Sequence, residues 1–208
     1  MIKALLLVFS PVPTWNRITT DQPRAAAILL FHTLPLLVLV GIAEGYGLVR
    51  WGRWQKDGIL IKHFGIPETV VFQVFQLLLA MGTVLLGAKL IKALGETFHG
   101  RHTYAQALTL SAFGLSPLFA INIFNMFPAI SPWLTWLVGF ALAAGVLYHG
   151  IPPVMQPDPP HAFGLYLTST LLLFVITGMV RFFTAWYLQG RFKPLENVIS
   201  DIVTRLTS

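Results

Sequence analysis

Five long apolar stretches, separated by short polar segments, dominate the chain. They lie at 25–48, 69–94, 103–127, 133–148 and 161–187. A bilayer with a hydrocarbon core of about 30 Å requires roughly 20 apolar residues per transmembrane helix, and the stretches are of that order. The pattern therefore predicts an all-α fold, a polytopic membrane helix bundle with about five transmembrane helices in one domain at 25–187.

The first 24 residues carry an apolar run that is too short to cross a bilayer, and Pro11 and Pro13 break it. Small residues typical of a cleavage site do not follow the run, so a cleaved signal peptide is not predicted. Trp15 is a residue type that lies at the level of the lipid headgroups. We expect residues 1–24 to form an interfacial N-terminal segment on the membrane surface.

The last residues of the chain, 188–208, have a different pattern. Apolar side chains recur there at steps of three and four, with Glu196, Asp201 and Arg205 between them. This spacing gives a helix one apolar and one polar face. We expect an amphipathic C-terminal helix that lies on the membrane or on a partner protein.

Prolines crowd the connection between the fourth and fifth stretches. They are Pro152, Pro153, Pro157, Pro159 and Pro160. Because proline lacks a backbone N–H group and clashes with the preceding helical turn, we expect this connection to be non-helical.

Composition supports a membrane location. Charged residues make up 11% of the chain and hydrophobic residues 55%, whereas soluble domains carry roughly 25% charged residues. No polar stretch is long enough for a soluble domain with its own core. The sequence contains no cysteine, which excludes thiol catalysis, disulfides and cysteine-based metal sites.

The formal charge of +6 arises from basic residues in the flanks of the apolar stretches. Contact with anionic lipid headgroups explains this placement, so membrane lipids are expected partners and nucleic acid is not. A cytoplasmic N-terminus would place six basic residues inside and eight outside. The positive-inside rule thus favours an external N-terminus by a small margin and leaves the orientation open.

Six polar side chains fall inside the predicted spans, where polar groups are costly and often functional. Because successive spans alternate in direction, all six are expected in one leaflet: Glu44, Gln73, Gln76, Asn122, Asn125 and Arg181. One hypothesis is a polar chamber in which Glu44 and Arg181 form an ion pair or contact a substrate. The other is that these groups hydrogen-bond the helices to one another, with the Arg181 side chain reaching the headgroups.

Small residues form a close-packing face on the fourth predicted helix. They are Gly139, Ala141, Ala143, Ala144 and Gly145. Such a face serves either packing within the bundle or dimerisation, and the sequence leaves both open.

Histidines supply weak candidates for ligand binding. His32 lies in the first predicted span, three residues before Pro35, where it could be an axial haem or pigment ligand or hydrogen-bond within the bundle. His99 and His102 could share a metal ion, but no carboxylate or cysteine cluster completes such a site. Serine-hydrolase, zinc-protease and P-loop motifs do not occur, so we expect no enzyme activity and no cofactor.

Several short motifs resemble one protein family. Phe98–Gly100 reads F-H-G, Tyr104–Ala107 reads Y-A-Q-A, and Ser116–Pro117 follows within the third stretch. This series resembles the F-x-G, (F/Y)-x-Q-A and proline segment of the Yip family, five-span membrane proteins named for interaction with Ypt/Rab GTPases. The sequence L-Y-H-G-I-P at Leu147–Pro152 resembles the family's exit from the fourth span.

The resemblance covers about residues 5–187 and implies a five-span fold without catalytic residues. Eukaryotic Yip proteins act in vesicle budding and Golgi organisation as membrane-embedded binding partners, and they carry long N-terminal cytoplasmic regions. This chain has about 24 residues before the first stretch. It therefore resembles the short prokaryotic type, which implies a location in the bacterial inner membrane.

These observations lead to three hypotheses of function. The first is a non-enzymatic scaffold or accessory subunit that contacts lipids and other membrane protein subunits. The second is a small-solute transporter or channel that uses the six polar residues. The third is a haem- or pigment-binding subunit, which rests on His32 alone.

Overall fold

The structure is a computed structural model and describes residues 2–21, 23–55, 60–98, 103–189 and 204–205. Five helices within these ranges are long and apolar enough to cross a membrane, and we number them spans 1 to 5. They are Ala25–Arg50, Ile66–Thr97, Tyr104–Met126, Pro132–Met155 and Pro159–Leu188. The predicted all-α bundle with five spans is confirmed. The predicted C-terminal helix falls mostly outside the described residues, and His99 and His102 lie wholly outside them.

Two short helices, α1 (Ile2–Phe9) and α2 (Pro11–Asp21), precede span 1 and pack against spans 3 and 4. The prolines of α2 lie in its first turn, where backbone N–H groups have no helical partner and proline is tolerated. Trp15, expected among headgroups, is fully buried, and its Nε1–H donates to the carbonyl oxygen of Val146 at 3.0 Å. Trp15 thus fastens the N-terminal segment to span 4, while the interfacial location of residues 1–24 stays a prediction.

Span 1 contains one wide turn. Its residues Leu29–Thr33 form a π-helix, in which the N–H group of Leu34 bonds to the carbonyl oxygen of Leu29. Pro35 has no N–H group to donate to the preceding turn, and a widened turn absorbs that irregularity. The turn directs His32 into the bundle, where the side chain is buried.

Span 3 lies at the centre of the bundle. In its most apolar 18-residue window 72% of the residues are buried, against 22% in spans 2 and 5. The span begins with a capping box in which Thr103 and Gln106 exchange side-chain and backbone hydrogen bonds. It is interrupted before Pro117 and ends as a 3₁₀-helix at Asn122–Met126. The central part of span 3, residues 107–119, is therefore buried on all sides.

A two-stranded hairpin connects spans 1 and 2. Strand β1 (Arg53–Gln55) pairs antiparallel with β2 (Leu60–Lys62), and Arg53 is opposite Lys62. Span 1 ends and span 2 begins at this hairpin. Because the spans alternate in direction, span 3 ends, span 4 begins and span 5 ends on the same side, which we call the hairpin end.

The proline-rich connection was predicted to be non-helical, and this prediction was wrong for most of its residues. Span 4 continues as a helix through Pro152 and Pro153 to Met155, and span 5 begins at Pro159. Gln156, in the left-handed conformation, terminates span 4. The last turn of span 4 carries buried apolar side chains, so packing compensates for the backbone hydrogen bonds that the prolines remove. The prolines that open span 5 occupy positions where no such bond is required.

Candidate functional site

The structure brings the six intramembrane polar residues to the hairpin end. Glu44 is fully buried, and its Oε2 accepts a hydrogen bond from Gln76 Nε2 at 2.7 Å. Arg181, which is 5% exposed, donates from Nη2 to Asn122 Oδ1. These contacts connect span 1 to span 2 and span 5 to span 3.

Glu44 and Arg181 do not form a direct ion pair within the described part of the chain. Each keeps one buried polar atom without a hydrogen-bond partner, Glu44 Oε1 and Arg181 Nη1. The two side chains are nevertheless close enough to interact electrostatically. The polar groups thus combine contacts that hold helices together with buried atoms that have no hydrogen-bond partner among the described residues.

The depth of the site follows from helix geometry. With a rise of 1.5 Å per residue, Glu44, Gln73 and Arg181 lie roughly 10 Å from the ends of their spans at the hairpin end. The spans that carry them have 26 to 32 residues, so they are roughly 39–48 Å long and extend past a hydrocarbon core of about 30 Å at both ends. These groups therefore lie near the boundary between the headgroups and the acyl chains of one leaflet.

A cavity of about 490 Å³ adjoins this cluster. Spans 1 and 2 form most of its wall, and eight residues of the other three spans, among them Asn122, Trp136 and Arg181, form its inner end. We call it the lateral cavity. Its volume is in the range of about 300–1,000 Å³ that is typical of small-molecule sites.

Unpartnered polar atoms concentrate on this cavity. Among the lining residues, the structure leaves Thr69 Oγ1, both amide atoms of Gln73, Gln76 Oε1 and Arg181 Nη1 buried without a hydrogen-bond partner. Folded proteins leave few such groups, because each costs free energy. Their concentration around one cavity indicates a site prepared for a polar group of a ligand.

Glycines give span 1 its close approach to neighbouring helices. A Cβ atom on Gly41 would lie 3.3 Å from Gln73 Oε1, and one on Gly45 would lie 3.2 Å from Thr69 Cγ2. A Cβ on Gly47 would collide with the backbone of Met126. The G-x-x-x-G spacing of Gly41 and Gly45 is a sequence signal for such packing.

Arg53 is a second residue that sequence reasoning missed. It is buried at the hairpin end, where its guanidinium donates to the carbonyl oxygens of Asn125 at 2.8 Å and Ile130 at 2.9 Å. A longer bond of 3.3 Å reaches Phe127. Burial lowers the pKa of Arg53, and the negative charge of Glu44 opposes this shift. In the sequence Arg53 is one of several basic loop residues, and no signal distinguishes it.

Asn125 belongs to the same network and does not line the cavity. Its Oδ1 accepts a hydrogen bond from Thr135 Oγ1 at 2.6 Å, while its backbone carbonyl accepts from Arg53. The residue therefore fixes the turn between spans 3 and 4.

His32 lies away from the lateral cavity. Its Nε2 is 2.7 Å from Ser116 Oγ, and its ring lies 4.2 Å from that of Phe113. Ser116 Oγ also donates to the carbonyl oxygen of Ala112 at 2.8 Å. The contact between His32 and Ser116 therefore connects span 1 to span 3.

The small residues of span 4 divide between two surfaces. Gly139 and Ala143 face the bundle, and a Cβ on Gly139 would lie 3.0 Å from the Leu118 backbone. Ala141 and Gly145 are exposed, and Ala144 is half-buried. The described side chains therefore use one part of this face for internal packing and leave the other part at the lipid-facing surface.

A model of one protein family matches most of the chain. The Yip1 domain matches residues 5–182. The chain belongs to the Yip1 domain family. Together with the five apolar helices, this makes it an integral membrane protein. The Yip1 domain extends from α1 to span 5 and includes every residue of the lateral cavity except Thr184. No curated protein and no solved structure matches the chain significantly.

Proposed function

We propose that this Yip1 domain protein is a non-enzymatic membrane scaffold or accessory subunit that holds other membrane proteins in place. The observation that supports the proposal is that span 3 hydrogen-bonds to each of the other four spans. The contacts are His32 with Ser116, Ser111 with the Val84 carbonyl, Thr135 with Asn125, and Arg181 with Asn122.

A bundle connected in this way favours a fixed platform. Alternating access requires one group of helices to rock against another. Here span 3 hydrogen-bonds to all four other spans. Any division of the bundle into two moving groups would therefore break some of these hydrogen bonds. The remaining outer faces are apolar and exposed, and they are available to lipid and to other transmembrane helices.

Purification of the tagged chain from native membranes in a gentle detergent tests this function. We expect another membrane protein to co-elute in a fixed stoichiometric ratio and to remain bound after reconstitution into nanodiscs. A shortened chain that ends at Leu188 lacks the predicted C-terminal helix and shows whether that helix is required for binding. A monomer or homodimer free of other proteins, obtained with both chains, would contradict the proposal.

The unpartnered atoms in the lateral cavity favour a second candidate, transport of a small anionic solute. In that case proteoliposomes should take up labelled phosphate or acetate, and Glu44→Gln and Arg181→Gln should abolish the uptake. Arg50→Gln is the matched control, because Arg50 is exposed at the same end of the bundle. Intact wild-type proteoliposomes without uptake above empty liposomes would exclude transport of these solutes.

A further inference from the structure

The opening of the lateral cavity has a composition opposite to that of its inner end. Exposed apolar side chains of spans 1 and 2 form the opening: Val38, Ile42, Tyr46, Val49, Ile66, Val70 and Val74. On a membrane-spanning helix, exposed side chains of this kind contact lipid acyl chains. An occupant therefore enters the cavity sideways, from the hydrocarbon of the bilayer.

The inner end presents polar hydrogen-bond donors. Arg181 is only 5% exposed, and its Nη1 has no hydrogen-bond partner among the residues that the structure describes. Gln73 on span 2, which also lines the cavity, adds an amide nitrogen without a partner among those residues. A guanidinium inside a membrane is costly unless another group pairs with it. Arg181 and Gln73 together offer donors to an acceptor between spans 2 and 5.

The charge of the region is complementary to an anion. Arg181 interacts electrostatically with Glu44 and Arg53, so two guanidinium groups accompany a single carboxylate. The Glu44 carboxylate already accepts from Gln76, and Arg53 already donates to backbone carbonyls. The region therefore carries one net positive charge, and Arg181 Nη1 is its buried donor without a hydrogen-bond partner at the cavity wall. Guanidinium groups bind phosphate and carboxylate oxygens with particular strength.

We propose that the lateral cavity binds a membrane lipid with an anionic headgroup. The headgroup oxyanion accepts hydrogen bonds from Arg181 Nη1 and from the Gln73 amide, and an acyl chain leaves the cavity between spans 1 and 2. The apolar opening selects a lipid over a water-soluble anion. The net positive charge of the region repels the cation of a zwitterionic headgroup and so selects an anionic lipid. This proposal goes beyond the scaffold function and does not depend on the identity of a protein partner.

Native mass spectrometry of the delipidated, detergent-solubilised full chain tests the selection. Dioleoylphosphatidylglycerol should bind at least about tenfold more tightly than dioleoylphosphatidylcholine. Both lipids carry the phosphate oxyanion, but the choline cation of the second is repelled by the positive charge of the site. Arg181→Gln should remove this preference, whereas Arg50→Gln should retain it. Equal binding of the two lipids to the wild type, or an unchanged preference in a folded Arg181→Gln chain, would overturn the proposal.

Inorganic phosphate distinguishes a lipid from a free anion. Phosphate at millimolar concentration should not displace dioleoylphosphatidylglycerol from the wild-type chain. Displacement at a concentration equal to that of the lipid would assign the site to a soluble anion and overturn the proposal.

A measurement on the wild type decides the matter if Arg181→Gln fails to fold. A phosphatidylglycerol with a photoreactive acyl chain should crosslink to residues of the opening, such as Ile42, Val70 and Val74. Leu171 and Val175 on the exposed face of span 5 do not line the cavity and provide the comparison. Crosslinks that are as frequent on span 5 as at the opening would contradict a lipid bound in the cavity.

Discussion

Gly47→Ala is expected to destabilise the protein by about 3 kcal/mol or more, which is the largest effect we predict for a single methyl group. Overpacking normally costs about 1–3 kcal/mol, because side chains can move aside. Here the added Cβ atom would collide with the backbone of Met126, at the 3₁₀ end of span 3. The two helices must separate to admit it, and this separation would break contacts around Glu44 and Asn122.

The thermal unfolding midpoint in detergent measures this effect. For a chain of 150–250 residues, about 3 kcal/mol corresponds to a decrease of roughly 6–12 °C. Gly82→Ala is the matched control, because a Cβ at Gly82 would meet no atom within 4 Å. In a helix that control should be neutral or stabilising by up to about 1 kcal/mol. Equal midpoints for the two variants would show that span 1 does not approach span 3 as closely as described.

The sequence was sufficient to predict the spans and the gathering of the polar groups. Apolar length identifies a transmembrane helix, and alternation in direction then places Glu44, Gln73 and Arg181 at one end without knowledge of any contact. The pairing within the cluster could not be predicted in this way. Glu44 and Arg181 have opposite charges, yet the structure gives their nearest hydrogen bonds to Gln76 and Asn122.

Local signals failed where packing overrides intrinsic preference. Pro152 and Pro153 predict a helix end, but the buried residues around them keep span 4 helical. Trp15 has the chemistry of a headgroup residue, and only its contact with Val146, 131 residues away, shows that it belongs to the protein interior. Both failures arise from contacts between segments distant in sequence, which no local pattern contains.

Arg53 extends this argument to the site, because its partners lie 72 to 77 residues further along the chain. Arg53→Gln should destabilise the protein by roughly 3 kcal/mol, since it leaves the buried carbonyl of Asn125 and its neighbours without their donor. Arg53→Lys should recover only part of this loss. A lysine retains the charge but lacks the planar group that reaches several carbonyl oxygens at once.

The thermal unfolding midpoint again provides the measurement, and Arg50→Gln and Arg50→Lys are the controls. Arg50 is three residues away and exposed, so both controls should change the stability by less than about 0.5 kcal/mol. If charge alone were responsible, Arg53→Lys would be as stable as the wild type. If the hairpin were only loosely attached, Arg53→Gln would match Arg50→Gln. A large loss of stability in Arg53→Gln and an intermediate loss in Arg53→Lys would establish that Arg53 attaches the hairpin to the turn between spans 3 and 4. Arg53 would then also fix the part of the cavity wall where Asn122 contacts Arg181.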